Sequence, residues 1–343
     1  MTVPSLARSI RNAVSLTYFK GPGDIIFYSR GRGTHPDDSH IRATAVFYPN
    51  RRNPDRQQYG NLTEYSQYIL NGYLYELELI KSLPKEVQRT LKPLYTIDRL
   101  TNEPILSIPV DSITEIYNPQ TALISWLEDP PIIPNVNEVQ TKIKDGVNLL
   151  ESNGIPRDDI GLYGALQCFI ISKNKNKPIN DIDFLIYSID NTSKIVRLAA
   201  KFDNPIFSPY GKCPFIRGRM NRKTIRRKKS LGTIWRSYGK DELFYDVKIV
   251  RKRGDPTLFP NFKNIKIDPE AIIRGKVVDS SEALTSPSVY VVKTEKGLIT
   301  VATRFYDFIA AAYKGDEVVA KGRTTADGKY LLITDPENHY IIA

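Results

Sequence analysis

The chain has 343 residues, 41% hydrophobic and 25% charged, which is ordinary for a globular protein and long enough for two or three separate cores. Its formal net charge of +11 favours an anionic partner, such as nucleic acid, nucleotide or an acidic membrane surface. Two cysteines exclude a disulfide framework, three histidines are too few and scattered for a histidine-based metal site, and no apolar run approaches the roughly 18–20 residues that span a bilayer.

Along the chain, the first twenty residues carry scattered arginines but no continuous apolar run, which argues against a signal peptide and points to the cytoplasm. "GDIIFYSRG" and "IRATAVFYPN" read as the two strands of a hairpin, with "GRGTHPDDSH" between them. From Tyr59 to about Leu83 the pattern becomes helical. Many prolines follow, and "EDPPIIPN" marks a boundary, because consecutive prolines stop regular structure. Val136, Val139, Ile143, Val147 and Leu150 recur at spacings of three and four and predict a helix, with Gly154 as its C-terminal stop. "IGLYG" predicts a short strand or turn, "ALQCFIIS" a second helical segment, "KNKNKP" a loop and "DIDFLIYS" a strand.

Residues 211–253 are strongly basic, with Arg217, Arg219, Arg222, Lys223, Arg226, Arg227, Lys228 and Lys229 in one acid-free run. Such a run is either a solvated face or a phosphate-contacting surface. Trp235 and Tyr238 beside it would suit base stacking, and Trp235 would equally suit a core. "DELFYDVKIVRKRG" alternates, with Leu243, Tyr245, Val247 and Ile249 on one face and Glu242, Phe244, Asp246 and Lys248 on the other. The last segment gives three strands, a short helix in "FYDFIAAAYKG", two more strands and a possible sixth in "HYIIA". That order fits an OB-like barrel, an SH3-like barrel or another small barrel.

Asp181 and Asp183 either cap a turn or face solvent at a strand end, as many such pairs do, or bind metal, the reading that the apolar run after them favours. Side chains two apart on a strand share a face, so the two carboxylates converge while Ile182, Phe184 and Ile186 pack behind them. Neighbouring carboxylates repel unless a cation lies between them, and oxygen donors of this kind suit Mg²⁺ with substrate phosphates. Asp246 is the best-placed third carboxylate by pattern; the plain alternative is an ion pair with Lys248 on a solvated face. Gly164 precedes a helix-like segment, where backbone N–H groups bind phosphate.

Gly164-Ala165, a helical segment and then Asp181-Ile182-Asp183-Phe184 resemble the signature of the polymerase-β-like nucleotidyltransferase superfamily. In order along the chain, "GRGTHPDDSHIRATAVFYPN", "GIPRDDIGLYGAL" with "DIDFLIY", and the terminal barrel resemble a group of predicted archaeal nucleotidyltransferases with a small β domain. The resemblance implies a multi-domain α+β fold. Residues 1–134 would hold a β-hairpin and helical region, 135–265 a nucleotidyltransferase-like core with a mixed sheet and the basic segment, and 266–343 the OB-like barrel. It implies Mg²⁺ or Mn²⁺ on Asp181 and Asp183, helped by Asp246. It also implies an NTP cradled at Gly164 and Ala165, and a hydroxyl acceptor such as RNA. The family's serine is Ala165 here, the serine before the aspartates is Asn180, the loop between glycine and aspartates is longer, and the glycine after the final tyrosine is Ser188. His35 matches a His-Pro of the group without a known role. A nucleotidyltransferase acting on RNA and an RNA-binding protein on a catalytically silent scaffold, possibly tied to ribosomes or tRNA, both fit this sequence.

Overall fold

The computed structural model describes residues 17–29, 39–49, 59–61, 85–97, 104–164, 166–167, 179, 181–199, 234–236, 244–251, 267–285, 287–303, 308, 311–335 and 338–343. The expectations for His35, Ala165 and the run Arg217 to Lys229 lie outside these residues.

The first sheet is antiparallel throughout. β1 (Tyr18–Lys20), β2 (Ile26–Ser29), β3 (His40–Pro49), β5 (Tyr95–Ile97), β6 (Pro104–Pro109) and β7 (Glu115–Tyr117) lie in the order β5-β6-β3-β2-β1-β7. Alternation sets its two faces: Phe19, Phe27 and Ala45 pack with Val87 and Leu91 of helix α1 (Lys85–Leu91), while Tyr18, Ile26 and Val46 form a smaller cluster on the other side. The expected pairing of the first two strand runs is present as β2 against β3. The helix expected from Tyr59 does not begin there. Tyr59–Asn61 form β4 against the end of β3, because free backbone groups at a strand edge outweigh a weak helical pattern over three residues.

The second sheet is mixed. β8 (Ile160–Leu162), β9 (Asp181–Tyr187), β10 (Ile234–Arg236) and β11 (Phe244–Val250) lie in the order β10-β11-β9-β8, with β9 and β11 parallel. One face is packed: Ile182, Phe184 and Ile186 of β9 meet Val247 and Ile249 of β11 and the apolar stripe of α3 (Val136–Ser152), in which Val139, Ile143, Val147 and Leu150 are all buried. Helix α2 (Pro119–Glu128) joins this core through Ala122, Leu123 and the fully buried Trp126, whose indole N–H donates to the Leu166 carbonyl at 3.0 Å. The core therefore takes in residues ahead of the boundary read at 134. Pro119 starts α2 rather than ending one, since the side chain of Asn118 caps the N–H groups of Gln120 and Thr121. Asn135 then fixes the entry to β9, donating to the Ile179 carbonyl at 3.0 Å. A short helix, α4 (Thr192–Ala199), follows β9.

The third sheet closes on itself. β12 (Ile267–Asp279), β13 (Ser288–Thr294), β14 (Gly297–Thr303), β16 (Tyr330–Ile333) and β15 (Glu317–Thr325) pair in that order, and β15 returns to β12 to make a five-stranded barrel. β14 and β16 run parallel, and β17 (Tyr340–Ile342) adds to the edge of β15. Tyr290, Val292, Val301, Val318, Ala320 and Leu331 fill the interior. The helix expected between the third and fourth strands lies largely outside the described residues.

The barrel meets the mixed sheet where β11 ends. Ile249 bridges to Thr285, and Leu284 joins the core of the mixed sheet. The Arg251 guanidinium pairs with Glu282, which is 1% exposed, and donates to Thr285 Oγ1 at 3.1 Å.

Candidate active site

The face of the mixed sheet opposite Ile182, Phe184 and Ile186 carries Asp183 beside a buried apolar cluster. Parity puts positions 181, 183, 185 and 187 of β9 on this face. The register of the parallel pair matches Asp181 with Phe244, Asp183 with Asp246, Leu185 with Lys248 and Tyr187 with Val250. Asp183 and Asp246 are thus Cα partners on neighbouring strands, about 5 Å apart at the backbone, and Asp181 is two residues along, at about 7 Å. Three carboxylate-bearing positions are thus neighbours in the backbone of one sheet.

Gly164 closes the site on the β8 side. The Tyr163 N–H donates to the Asp183 carbonyl at 3.0 Å, which continues the β8–β9 ladder and brings residue 164 beside the Asp183 side chain. Gly164 has φ of +65°, and a Cβ there would lie 2.0 Å from Asp183 Oδ2. Backbone conformation and space both require glycine, and the contact holds the carboxylate of Asp183 against the turn. Asp183 itself is 9% exposed.

The same face turns apolar along the strands. Leu185, Tyr187 and Val250 cluster with Tyr163, and burial pushes the Tyr187 hydroxyl above the ordinary tyrosine range. Lys248 lies between the two halves, with its ammonium 4.6 Å from the centre of the Tyr163 ring. Val250 and Leu185 on the same face are buried, while Lys248 is half-buried. Sequence reasoning passed over Tyr163 and Lys248. The alternation in β11 put Lys248 on the Asp246 face, but only the strand order shows that it reaches across β9 to β8.

The other expected residues divide. Position 234 pairs with Asp246 and position 235 with Tyr245, whose own partner is Ile182. Position 235 is thus in register with Ile182 through Tyr245, and position 234 with Asp183 through Asp246. Among the described side chains, which include Asp183 but not Asp181 or Asp246, no group of three or more potential metal ligands occurs. The carboxylate of Asp183 is an oxygen donor of the kind that Mg²⁺ and Mn²⁺ take. No family model, curated protein or solved structure matches the chain. No helix among the described residues is long and apolar enough to cross a membrane.

Proposed function

We propose that the chain is a nucleotidyltransferase of the polymerase-β type, moving a nucleoside monophosphate from an NTP to a hydroxyl acceptor on RNA. One observation carries the reading: Asp246 is the register partner of Asp183, two residues from Asp181, with Gly164 packed on the Asp183 carboxylate. Asp181, Asp183 and Asp246 would hold Mg²⁺ or Mn²⁺, and the turn at Gly164 and Ala165 would receive the triphosphate. The bound cations would lower the cost of deprotonating the acceptor hydroxyl and neutralise the leaving pyrophosphate.

The acceptor oxygen attacks the α-phosphorus. The new P–O bond forms as the bond from that phosphorus to the β-bridging oxygen breaks, and the electron pair leaves with pyrophosphate. The hydroxyl proton passes to the Asp246 carboxylate and then to water. The Gly164 turn fixes the orientation of Asp183, and the dry end of the face at Leu185, Tyr187 and Val250 keeps the backing of the site rigid.

The barrel supports an RNA acceptor. Its closure through the first and fourth strands, with the third and fifth parallel, is the connectivity of an OB fold, a module that binds oligonucleotides. The run from Arg217 to Lys229 would add phosphate contacts, in keeping with the net charge of +11. Trp235, next to that run in the sequence, would add base stacking.

Incubation with labelled NTPs, Mg²⁺ or Mn²⁺ and total RNA tests the proposal. Label should move to RNA with the wild type and not with Asp183→Asn or Asp246→Asn. RNA binding without transfer would favour the second reading, a silent scaffold, for which alanine at 165 is the specific sequence support.

A further inference from the structure

We propose that one end of the barrel's outer face, running across β12, β13 and β14, receives single-stranded RNA, with Arg274, Lys276 and Lys293 on its phosphates. This rests on the reading above of RNA as the acceptor. Val277 and Val292 are register partners inside the barrel, so Lys276 and Lys293 next to them stand outside. Lys276 is the register partner of Lys293, and Lys293 of Leu298, which sets the three in one row across the strands. Arg274 and Ile272 continue from Lys276 along the outer face of β12 at the two-residue period. All five are exposed, Ile272 at 57% and Leu298 at 63%. The other end of the same outer face is closed: Val289, Ala302 and Leu332 are buried there, with Ile267 and Tyr330 packed against them. A ligand on this side of the barrel therefore meets the row of Lys276, Lys293 and Leu298.

Charge selects the occupant. Residues 267–343 hold nine Lys and Arg against eleven Asp and Glu, so the three cations are not the overflow of a basic domain. The barrel's acids are largely engaged elsewhere: Glu270 with Lys321 and His339, Glu282 with Arg251, Asp316 with the Tyr313 N–H, and Asp327 with Thr325. Among the described residues, Arg274, Lys276 and Lys293 have no hydrogen-bond or ion-pair partner. Glu317, opposite Lys276 on β15, and Glu295, in the turn after β13, border the group without pairing with it. Backbone spacings of about 5 Å across the strands and about 7 Å along β12 suit successive phosphates of one nucleic-acid strand. Exposed apolar side chains at both ends give unpaired bases a place to shed water, which an acidic peptide or a base-paired duplex would leave unused.

Filter-binding titrations of a labelled, mixed-sequence single-stranded RNA of about twelve nucleotides, run on the full chain at several salt concentrations, test the surface. Two double variants of equal net charge are compared with wild type. One is Lys276→Gln with Lys293→Gln; the other is Lys314→Gln with Lys329→Gln, at lysines exposed elsewhere on the barrel. The first should bind roughly tenfold to a hundredfold more weakly in low salt and flatten the slope of log affinity against log salt by about 1.4, two contacts at about 0.7 each. The second should match wild type within about twofold. Equal losses in both variants, an unchanged slope in the first, or a fall in its melting temperature that accounts for its weaker binding would overturn the surface. Phosphatidylserine vesicles and polyglutamate serve as competitors; tighter binding of either through Lys276 and Lys293 would give the surface to a membrane or an acidic protein instead. A Mn²⁺-dependent titration of wild type with a non-hydrolysable NTP separates the two claims. No nucleotide binding defeats the nucleotidyltransferase reading. Nucleotide binding without RNA binding defeats the RNA acceptor and this surface with it, and nucleotide binding with undiminished RNA binding by the first variant defeats the surface alone.

Discussion

Glu282 and Asp183 are both buried carboxylates, at 1% and 9% exposure, yet their surroundings differ in kind. Glu282 lies at the junction of barrel and mixed sheet against the Arg251 guanidinium, itself tied to Thr285. Asp183 lies against a glycine turn, with another aspartate as its register partner. A buried charge matched by a fixed opposite charge is part of the fold. Under the proposed function, the first carboxylate serves stability and the second serves chemistry.

The largest expected effect lies at the junction. Glu282→Ala leaves Arg251 buried without its partner and should cost about 3–5 kcal/mol in denaturant unfolding, the usual penalty for breaking a buried pair from one side. Joint replacement by Arg251→Met and Glu282→Leu should recover most of it. A cost under about 1 kcal/mol for the single variant would dissolve the contrast from the structural side.

Gly164→Ala comes next. It pays for a left-handed backbone, about 1–2 kcal/mol, and for a collision with Asp183. Gly154→Ala is the control: its φ of +80° carries the same backbone cost, but nothing lies within 4 Å of a Cβ there. Gly164→Ala should therefore be the more destabilising of the two in a thermal melt, and the only one to weaken Mg²⁺-dependent nucleotide binding.

Asp183→Asn should show the reverse balance to Glu282→Ala. Under the proposed function it keeps the shape of the site and removes an oxygen ligand, so stability should fall much less than in Glu282→Ala, while transfer is lost. A loss of several kcal/mol would make Asp183 a structural carboxylate like Glu282.

The smallest effect is at Glu270 on the barrel exterior. The Lys321 ammonium, and then His339, hold its carboxyl below the ordinary value of 4.5. A lowered folded-state value means that its contribution is complete above the unfolded pKa and is lost as pH falls through the folded one. The stability gap between wild type and Glu270→Gln should thus be present at neutral pH, shrink below pH 4.5 and close in stronger acid; because the group is exposed, the gap is small. A gap that widens on acidification would contradict the sign.

Much of the candidate site was legible because a strand's period of two is local: it aligned Asp181 with Asp183 and set their apolar backing at Ile182 and Phe184. The α3 helix was legible for the same reason at a period near 3.6. The parallel register of Asp246 with Asp183 was not, since more than fifty residues separate the strands and pairing at that range leaves no periodic trace. The Tyr163–Lys248 contact needed the strand order as well as the alternation. The prolines of "EDPPIIPN" mark a break between two helices of one core, since Ala122, Leu123 and Trp126 ahead of it pack with Val139 and Ile143 behind it. The three residues of β4 are too few to show any period at all.

The central claim is that the carboxylate positions on β9 and β11 bind metal together with nucleotide. Calorimetric titration of a non-hydrolysable NTP analogue in the presence and absence of Mn²⁺, for wild type, Asp183→Asn and Glu282→Gln, tests it most directly. Wild type should bind only with the metal, Glu282→Gln should bind like wild type whatever its loss of stability, and Asp183→Asn should lose metal-dependent binding. Metal-independent binding by all three proteins, or undiminished binding by Asp183→Asn, would contradict it.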